Sequence, residues 1–225
     1  LRILSDYGIL TVFNWNKMEV CRPMKRLMIV VAAMIALLIG GTALALSDPY
    51  EIEPPVPKGY DLPYTLTVYL NNQMVVAYDA ATLEPVRHMV CSSGAASTPT
   101  ITGTFYIPRT PAQSWSTFGN VYVRFPTRIK SGYYFHSILY GRTSPDSLNM
   151  VSWRDFGKRA SHGCVRLLPV DAQWINYNCA KGTRVRIVRK KDFDLKDIHD
   201  EMLKEIRKNG HMAYQPTLKP TPTPI

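Results

Sequence analysis

The sequence predicts a mainly β fold, with strands closing into a sandwich or barrel, few helices, and one hydrophobic helix ahead of the folded body. Three observations predict it. The middle of the chain is a succession of short apolar runs with β-branched and aromatic residues. Seventeen prolines and 13 glycines punctuate the 225 residues. Only two segments past residue 60 carry helical periodicity.

In chain order, residues 1–26 form an N-terminal segment, cytoplasmic or the product of an over-extended start, with no function assigned. Residues 27–46 (LMIVVAAMIALLIGGTALAL) are 20 residues without a charge, preceded by Arg22, Lys25 and Arg26. That is the pattern of an export signal, with Ala43-Leu44-Ala45 as a cleavage candidate, and its length also suits a membrane anchor. Residues 47–61, rich in Pro and acidic side chains, read as a linker. Residues 62–191 form the candidate catalytic body. Runs 65–70 and 74–80 flank Asn71-Asn72 as a hairpin. Further strands are expected at 86–91, 103–107, 121–125, 133–137 and 184–189. In the last, Val185 and Ile187 alternate with Arg184 and Arg186, as in a half-exposed strand. A helix is expected over 169–179, opening on Pro169 and presenting Val170, Trp174 and Tyr177 as its face. Residues 192–214 hold a C-terminal helix whose Leu195, Ile198, Met202 and Ile206 pack on the body. Residues 215–225 are a Pro/Thr tail.

The net charge of +10 is concentrated in the body, where 16 Lys/Arg face 5 Asp/Glu. Such a surface draws polyanions. No nucleic-acid-binding motif accompanies it, which leaves an anionic polymer such as teichoic acid, an anionic lipid, or a basic surface that serves only solubility. Four cysteines are too few for a disulfide scaffold. Cys91 and Cys179 either pair or stay as buried thiols.

Chemistry concentrates in Ser161-His162-Gly163-Cys164-Val165-Arg166. A lone cysteine beside a histidine, in a run with Lys158, Arg159 and Arg166, has neighbours that favour the thiolate, the nucleophilic form. Gly163 allows close backbone approach and can leave amides for an oxyanion. A nucleophilic cysteine needs a base whose ring is itself held. His136 closes the strand Tyr133-Tyr134-Phe135, and His162 is two residues from the cysteine; spacing alone does not choose between them. Zinc bound by His136, His162 and Cys164 is a rival, but paired ligand spacings are missing. No metal or cofactor is expected.

The pattern His136-Ser137 followed by Ser161-His162-Gly163-Cys164 resembles the signature of the L,D-transpeptidase (YkuD-like) family. Thr98-Pro99 with Thr102-Gly103-Thr104-Phe105, and Gly182-Thr183-x-Val185, extend the resemblance over residues 62–190. It implies a mixed-sheet β-sandwich with the cysteine in a groove under a lid. By position it makes Cys164 the nucleophile and His136 the general acid/base, with the Ser137 carbonyl orienting the ring. Amides around Gly163 and Cys164 would form the oxyanion hole, supported by Ser161 and His162. Arg166 would lie near substrate carboxylates, and the aromatics Tyr134 and Trp153 are further candidates for substrate contact. The implied activity is exchange on peptidoglycan stem peptides outside the cytoplasm, anchored or secreted. Another exported cysteine carboxypeptidase or endopeptidase, or a non-catalytic wall-binding module, are the alternatives. Twenty-four residues separate His136 from Ser161, more than the family pattern, and the excess within 140–158 is expected to be a loop that shapes the lid.

Overall fold

The structure is a computed structural model that describes residues 58–112 and 115–213. The N-terminal segment, the hydrophobic run 27–46, most of the linker and the Pro/Thr tail lie outside the described residues. Among the described residues no helix is long and apolar enough to cross a membrane.

Ten strands and three helices make up the described fold: β1 (Tyr64–Tyr69), β2 (Met74–Asp79), β3 (Pro85–Ser92), β4 (Gly103–Tyr106), β5 (Trp115–Phe118), β6 (Val121–Arg124), β7 (Thr127–Lys130), β8 (Tyr133–Ser137), α1 (Met150–Arg154), β9 (Val165–Leu167), α2 (Pro169–Asn178), β10 (Arg184–Val188) and α3 (Phe193–Ala213). Eight strands form one mixed sheet in the order β4-β10-β1-β2-β3-β9-β8-β7, and β5–β6 is a separate hairpin. β1 pairs parallel with β10 and β8 parallel with β9; the other pairings are antiparallel. The end strands β4 and β7 touch, so the sheet curls back on itself. The expected mainly β architecture with few helices is what forms.

Both faces of the sheet are covered. Successive side chains on a strand point to opposite faces, and β2 shows the consequence. Val75 and Ala77 enter one core with Leu66, Val68, Phe135 and Val165, while Met74 and Val76 enter a second with Tyr140, Phe156, Leu195 and Ile206. A strand buried on both faces reads as a nearly continuous apolar run, as Met74–Ala77 does in β2, whereas β1 alternates Leu66 and Val68 with buried Thr65 and Thr67. α2 covers the first core through Ala172 and Ile175, and α3 covers the second. Asn72 in the β1–β2 turn fastens α3, exchanging bonds with the Asp192 backbone at 2.5 and 2.9 Å, while the Asp192 carboxylate caps the Leu195 amide at 3.1 Å.

Two sequence expectations about faces are corrected. β10 is not half exposed: it lies between β4 and β1, and Arg184 is buried along with Val185 and Ile187. The buried stripe of α2 is Pro169, Asp171, Ala172, Ile175 and Asn176; of the expected face, Val170 and Trp174 pack against the cores while Tyr177 is 52 % exposed. The cause is polar. Arg87, on β3, reaches across to Asp171 through Nε at 3.1 Å and Nη2 at 2.6 Å, and Asn176 Nδ2 bonds Thr127 Oγ1 at 3.2 Å. These contacts set the helix so that Tyr177 faces out. Cys91 and Cys179 are free, buried thiols, and burial pushes both thiol pKa values up.

Candidate active site

The register of β8 against β9 assembles the site. Phe135 lies opposite Val165, and His136 opposite Arg166. With alternate residues on one face, Phe135, Val165 and Leu167 point into the core. Tyr134, His136, Cys164 and Arg166 take the other face and line a cavity of about 630 Å³. Phe118 and Val121 from the β5–β6 hairpin, Gly132, Leu139 and His162 complete its wall. The hairpin is held in place by Tyr122 and Tyr140, which exchange two backbone bonds of 2.9 Å.

His136 is 2 % exposed. Its Nδ1 lies 2.6 Å from the Ser137 carbonyl. A carbonyl only accepts, so Nδ1 carries the proton and Nε2 is left with a free lone pair. The Phe118 ring meets the imidazole edge-on at 5.3 Å. Burial is the main cause that lowers the His136 pKa to about 4; the Ser137 bond opposes it, and the Arg166 charge adds to it. At neutral pH the imidazole is an uncharged base.

The loop carrying Cys164 is braced from β3 and the segment after it. Gly163 has φ 108, a backbone conformation that favours glycine, and a Cβ there would sit 2.9 Å from the Tyr133 ring. Thr100 Oγ1 accepts from the Gly94 amide and donates to the Gly163 carbonyl, both at 2.8 Å. Thr98 Oγ1 donates to the Ser161 carbonyl at 2.9 Å. A Cβ on Gly94 would lie 2.2 Å from the Thr98 oxygen, so only glycine lets this strap lie so close. The Thr98-Pro99 resemblance thus has a physical content: these residues hold the cysteine loop.

The thiol of Cys164 is partly buried, 3.7 Å from the Gly132 carbonyl. Burial raises its pKa, while a hydrogen bond from the Tyr134 backbone and the charge of Arg166 act in the opposite direction. The expectation that the basic run lowers the thiol pKa is corrected. Lys158 and Arg159 are exposed; Lys158 lies 4.0 Å from Asp155 and Arg159 Nε bonds the Gly94 carbonyl at 3.2 Å. Arg166 is the cation that acts on the sulfur.

Three further expectations meet different geometry. The Gly163 amide donates to Ser161 Oγ at 3.1 Å, so it is engaged within the loop. Ser161 is buried and braces the turn through the Cys164 carbonyl at 2.5 Å. Trp153 is not among the cavity residues: it stacks on Phe156 at 6.2 Å and lies under the Arg207 guanidinium, 4.6 Å from its ring. Nor does the segment 140–158 line the cavity. It folds back on itself through Gly141 and Ser147, forms α1, and docks on α3, where Arg207 donates to the carbonyls of Trp153, Arg154 and Phe156 at 2.6–3.1 Å. The cavity wall comes instead from the hairpin. Phe118 is not marked in the sequence because β5 is a four-residue strand, WSTF, with no apolar alternation, and Val121 falls in the expected strand 121–125 without any signal that ties it to the site. Among the described residues no three His, Cys, Asp or Glu side chains cluster as a metal site.

The model of the L,D-transpeptidase catalytic domain (YkuD) matches residues 63–187, more than half of the chain. No functionally curated protein matches. Solved structures similar to the chain include a fused Zn-dependent amidase/peptidase/peptidoglycan-binding domain-containing protein from Clostridium acetobutylicum, 27 % identical, covering 56 % of this chain and 52 % of that one, TM-score 0.44. An L,D-transpeptidase from Stackebrandtia nassauensis is 20 % identical over 64 % and 62 %, TM-score 0.46. One from Mycobacterium smegmatis is 21 % identical over 56 % and 58 %, TM-score 0.43. The chain therefore spans between half and two thirds of the length of each of these structures. On the family model, whose span contains His136, Cys164 and the strap that holds the cysteine loop, the chain belongs to the L,D-transpeptidase (YkuD) catalytic-domain family.

Proposed function

We infer that the chain is a peptidoglycan L,D-transpeptidase with Cys164 as nucleophile and His136 as general acid/base. The observation that carries this reading is the shared face: thiol and imidazole line one cavity, and the Ser137 carbonyl holds the ring with Nε2 unprotonated.

The resting pair is neutral, since burial disfavours both thiolate and imidazolium. The thiol proton moves to His136 Nε2 as the sulfur attacks the carbonyl of the third stem residue, an L-centre. The backbone amide of Cys164 is the oxyanion donor in this reading, because the Gly163 amide is engaged and the Tyr134 backbone bonds the sulfur. Imidazolium then protonates the departing D-alanine amine, leaving a thioester on Cys164. An amine of a second stem, giving up its proton to His136, attacks the thioester and forms a 3→3 cross-link; water in its place yields a tripeptide. Arg166, whose Nε is buried without a partner, supplies positive charge toward a substrate carboxylate. His162, exposed at the cavity rim, contacts the bound peptide.

The domain works outside the cytoplasm, held by or released from residues 27–46, with its basic body drawn to anionic wall polymer. Incubating the reduced protein with tetrapeptide muropeptides tests the reaction. Formation of 3→3 dimers or tripeptides supports it, and the absence of both with Cys164 reduced overturns it.

A further inference from the structure

A second cavity of about 510 Å³ adjoins the first, and the two share Phe118 and Tyr134 as a common partition. Among the described residues, the lining of the second cavity includes no cysteine, histidine or carboxylate. It presents two guanidinium groups, Arg109 and Arg128, with the hydroxyl-bearing residues Thr110, Ser116 and Thr117 around them. Arg109 is exposed and Arg128 half-buried. Arg128 packs over the Tyr134 ring at 5.4 Å and donates through Nε to its phenol oxygen at 3.0 Å, which fixes the direction of its fork. Among the described residues no carboxylate pairs with either arginine. None is near in sequence: from Pro85 to Pro145 the chain has no Asp or Glu, and this stretch builds every strand that lines the two cavities except β9.

Two cations lining one cavity with no carboxylate partner among the described residues, one of them aligned by a phenol, match an oxyanion acceptor. Tyr134 links the two cavities. Its backbone reaches the Cys164 sulfur, and its phenol holds Arg128. A ligand lying across Phe118 and Tyr134 therefore has one end at the thiol and the other on the arginines.

We propose that the cavity bearing Arg109 and Arg128 is a carboxylate subsite, which binds an acidic group of the peptide whose carbonyl is presented to Cys164. The proposal rests on the peptide-transfer reading of the site and deepens it: selectivity for an acidic over an amidated stem peptide is set here, away from the reacting atoms. Electrostatic capture by a pair of surface-accessible arginines acts on binding and leaves the chemical step alone, so it appears in KM and not in kcat.

The test uses two tetrapeptides with the same scissile bond, one with its free side carboxylates and one with them as carboxamides. Equilibrium binding is measured on the full chain carrying Cys164→Ser, alone and combined with Arg109→Glu, Arg128→Lys or Arg128→Ala. The carboxylate peptide is expected to bind roughly tenfold more tightly than the carboxamide, a preference that shrinks with added salt. Arg109→Glu is expected to erase or invert it. Arg128→Lys keeps the charge but loses the fork and the phenol bond, and should retain part of the preference that Arg128→Ala loses. Carboxamide binding should stay within about twofold throughout, which shows that each variant is folded. Equal binding of the two peptides to the starting protein, or a full preference surviving Arg109→Glu, overturns the subsite. Soluble polyphosphate that displaces the carboxamide peptide as well as the carboxylate one would also overturn it. The readout is independent of turnover. A preference that follows the arginines in a protein whose Cys164 is never acylated would leave the subsite standing and refute the transpeptidase reading instead.

Discussion

Protonating His136 inside the fold should be measurably costly. Its pKa falls from 6.5 to about 4, chiefly because the ring is buried. Above pH 6.5 the imidazole is neutral in both folded and unfolded chains and contributes no pH dependence. Between pH 6.5 and 4 the unfolded chain takes up a proton that the folded one refuses, so stability falls as pH falls. The full difference is about 3 kcal/mol, at about 1.4 kcal/mol per pKa unit, and roughly 2 kcal/mol of it is lost between pH 7.5 and 5. Asp171 acts in the opposite sense: its pKa is raised to about 6 by burial, against the pull of Arg87. Comparing wild type with His136→Gln cancels that contribution. Urea denaturation at pH 7.5 and pH 5.0 should show the wild type losing about 2 kcal/mol more than the variant. The acid limb of kcat/KM should lie near pH 4, well below the ordinary histidine value. Parallel stability losses in the two proteins, or a His136 resonance titrating near 6.5, would refute the reasoning.

Cys164→Ser and His136→Ala should each abolish turnover while the protein stays folded, and the double variant should be little worse than either, as checked by product formation and circular dichroism. Retained turnover in His136→Ala would pass the base role to His162. Thr100→Val removes the acceptor of the Gly94 amide and the donor to the Gly163 carbonyl; a destabilisation of about 2–4 kcal/mol by urea melting and slowed alkylation of Cys164 are expected. Arg207→Ala removes three carbonyl contacts and the cation over Trp153. It should cost about 1–2 kcal/mol and speed amide exchange across 153–158 without changing exchange in β8.

What was legible in the sequence was what repeats or what chemistry demands. β1, β2 and β3 announce themselves as runs of β-branched and apolar residues, and α3 because Leu195 and Ile206 recur on one side. The Cys164 loop stood out because a thiol, a glycine and a histidine share one short motif, whereas spacing leaves the base open between His136 and His162 and only the family resemblance points to His136. The face of α2 was not, because a buried Arg87–Asp171 pair decides it and periodicity counts only apolar residues. The fate of 140–158 was hidden for a similar reason. Glycine, serine and proline there suggest a free loop, but its docking depends on Arg207, some fifty positions away. The sign of the thiol shift was misjudged because charge neighbours are visible in sequence and desolvation is not.

The central claim is that Cys164 becomes acylated by a stem peptide with loss of its terminal residue. Intact-mass spectrometry of the reduced protein, mixed with tetrapeptide at neutral pH and quenched in acid, measures this directly. The account predicts an adduct equal in mass to the tetrapeptide minus D-alanine, mapped to the peptide containing Cys164 and absent in Cys164→Ser. An unmodified protein with a reactive Cys164 thiol, or an adduct on another residue that persists in Cys164→Ser, would contradict it.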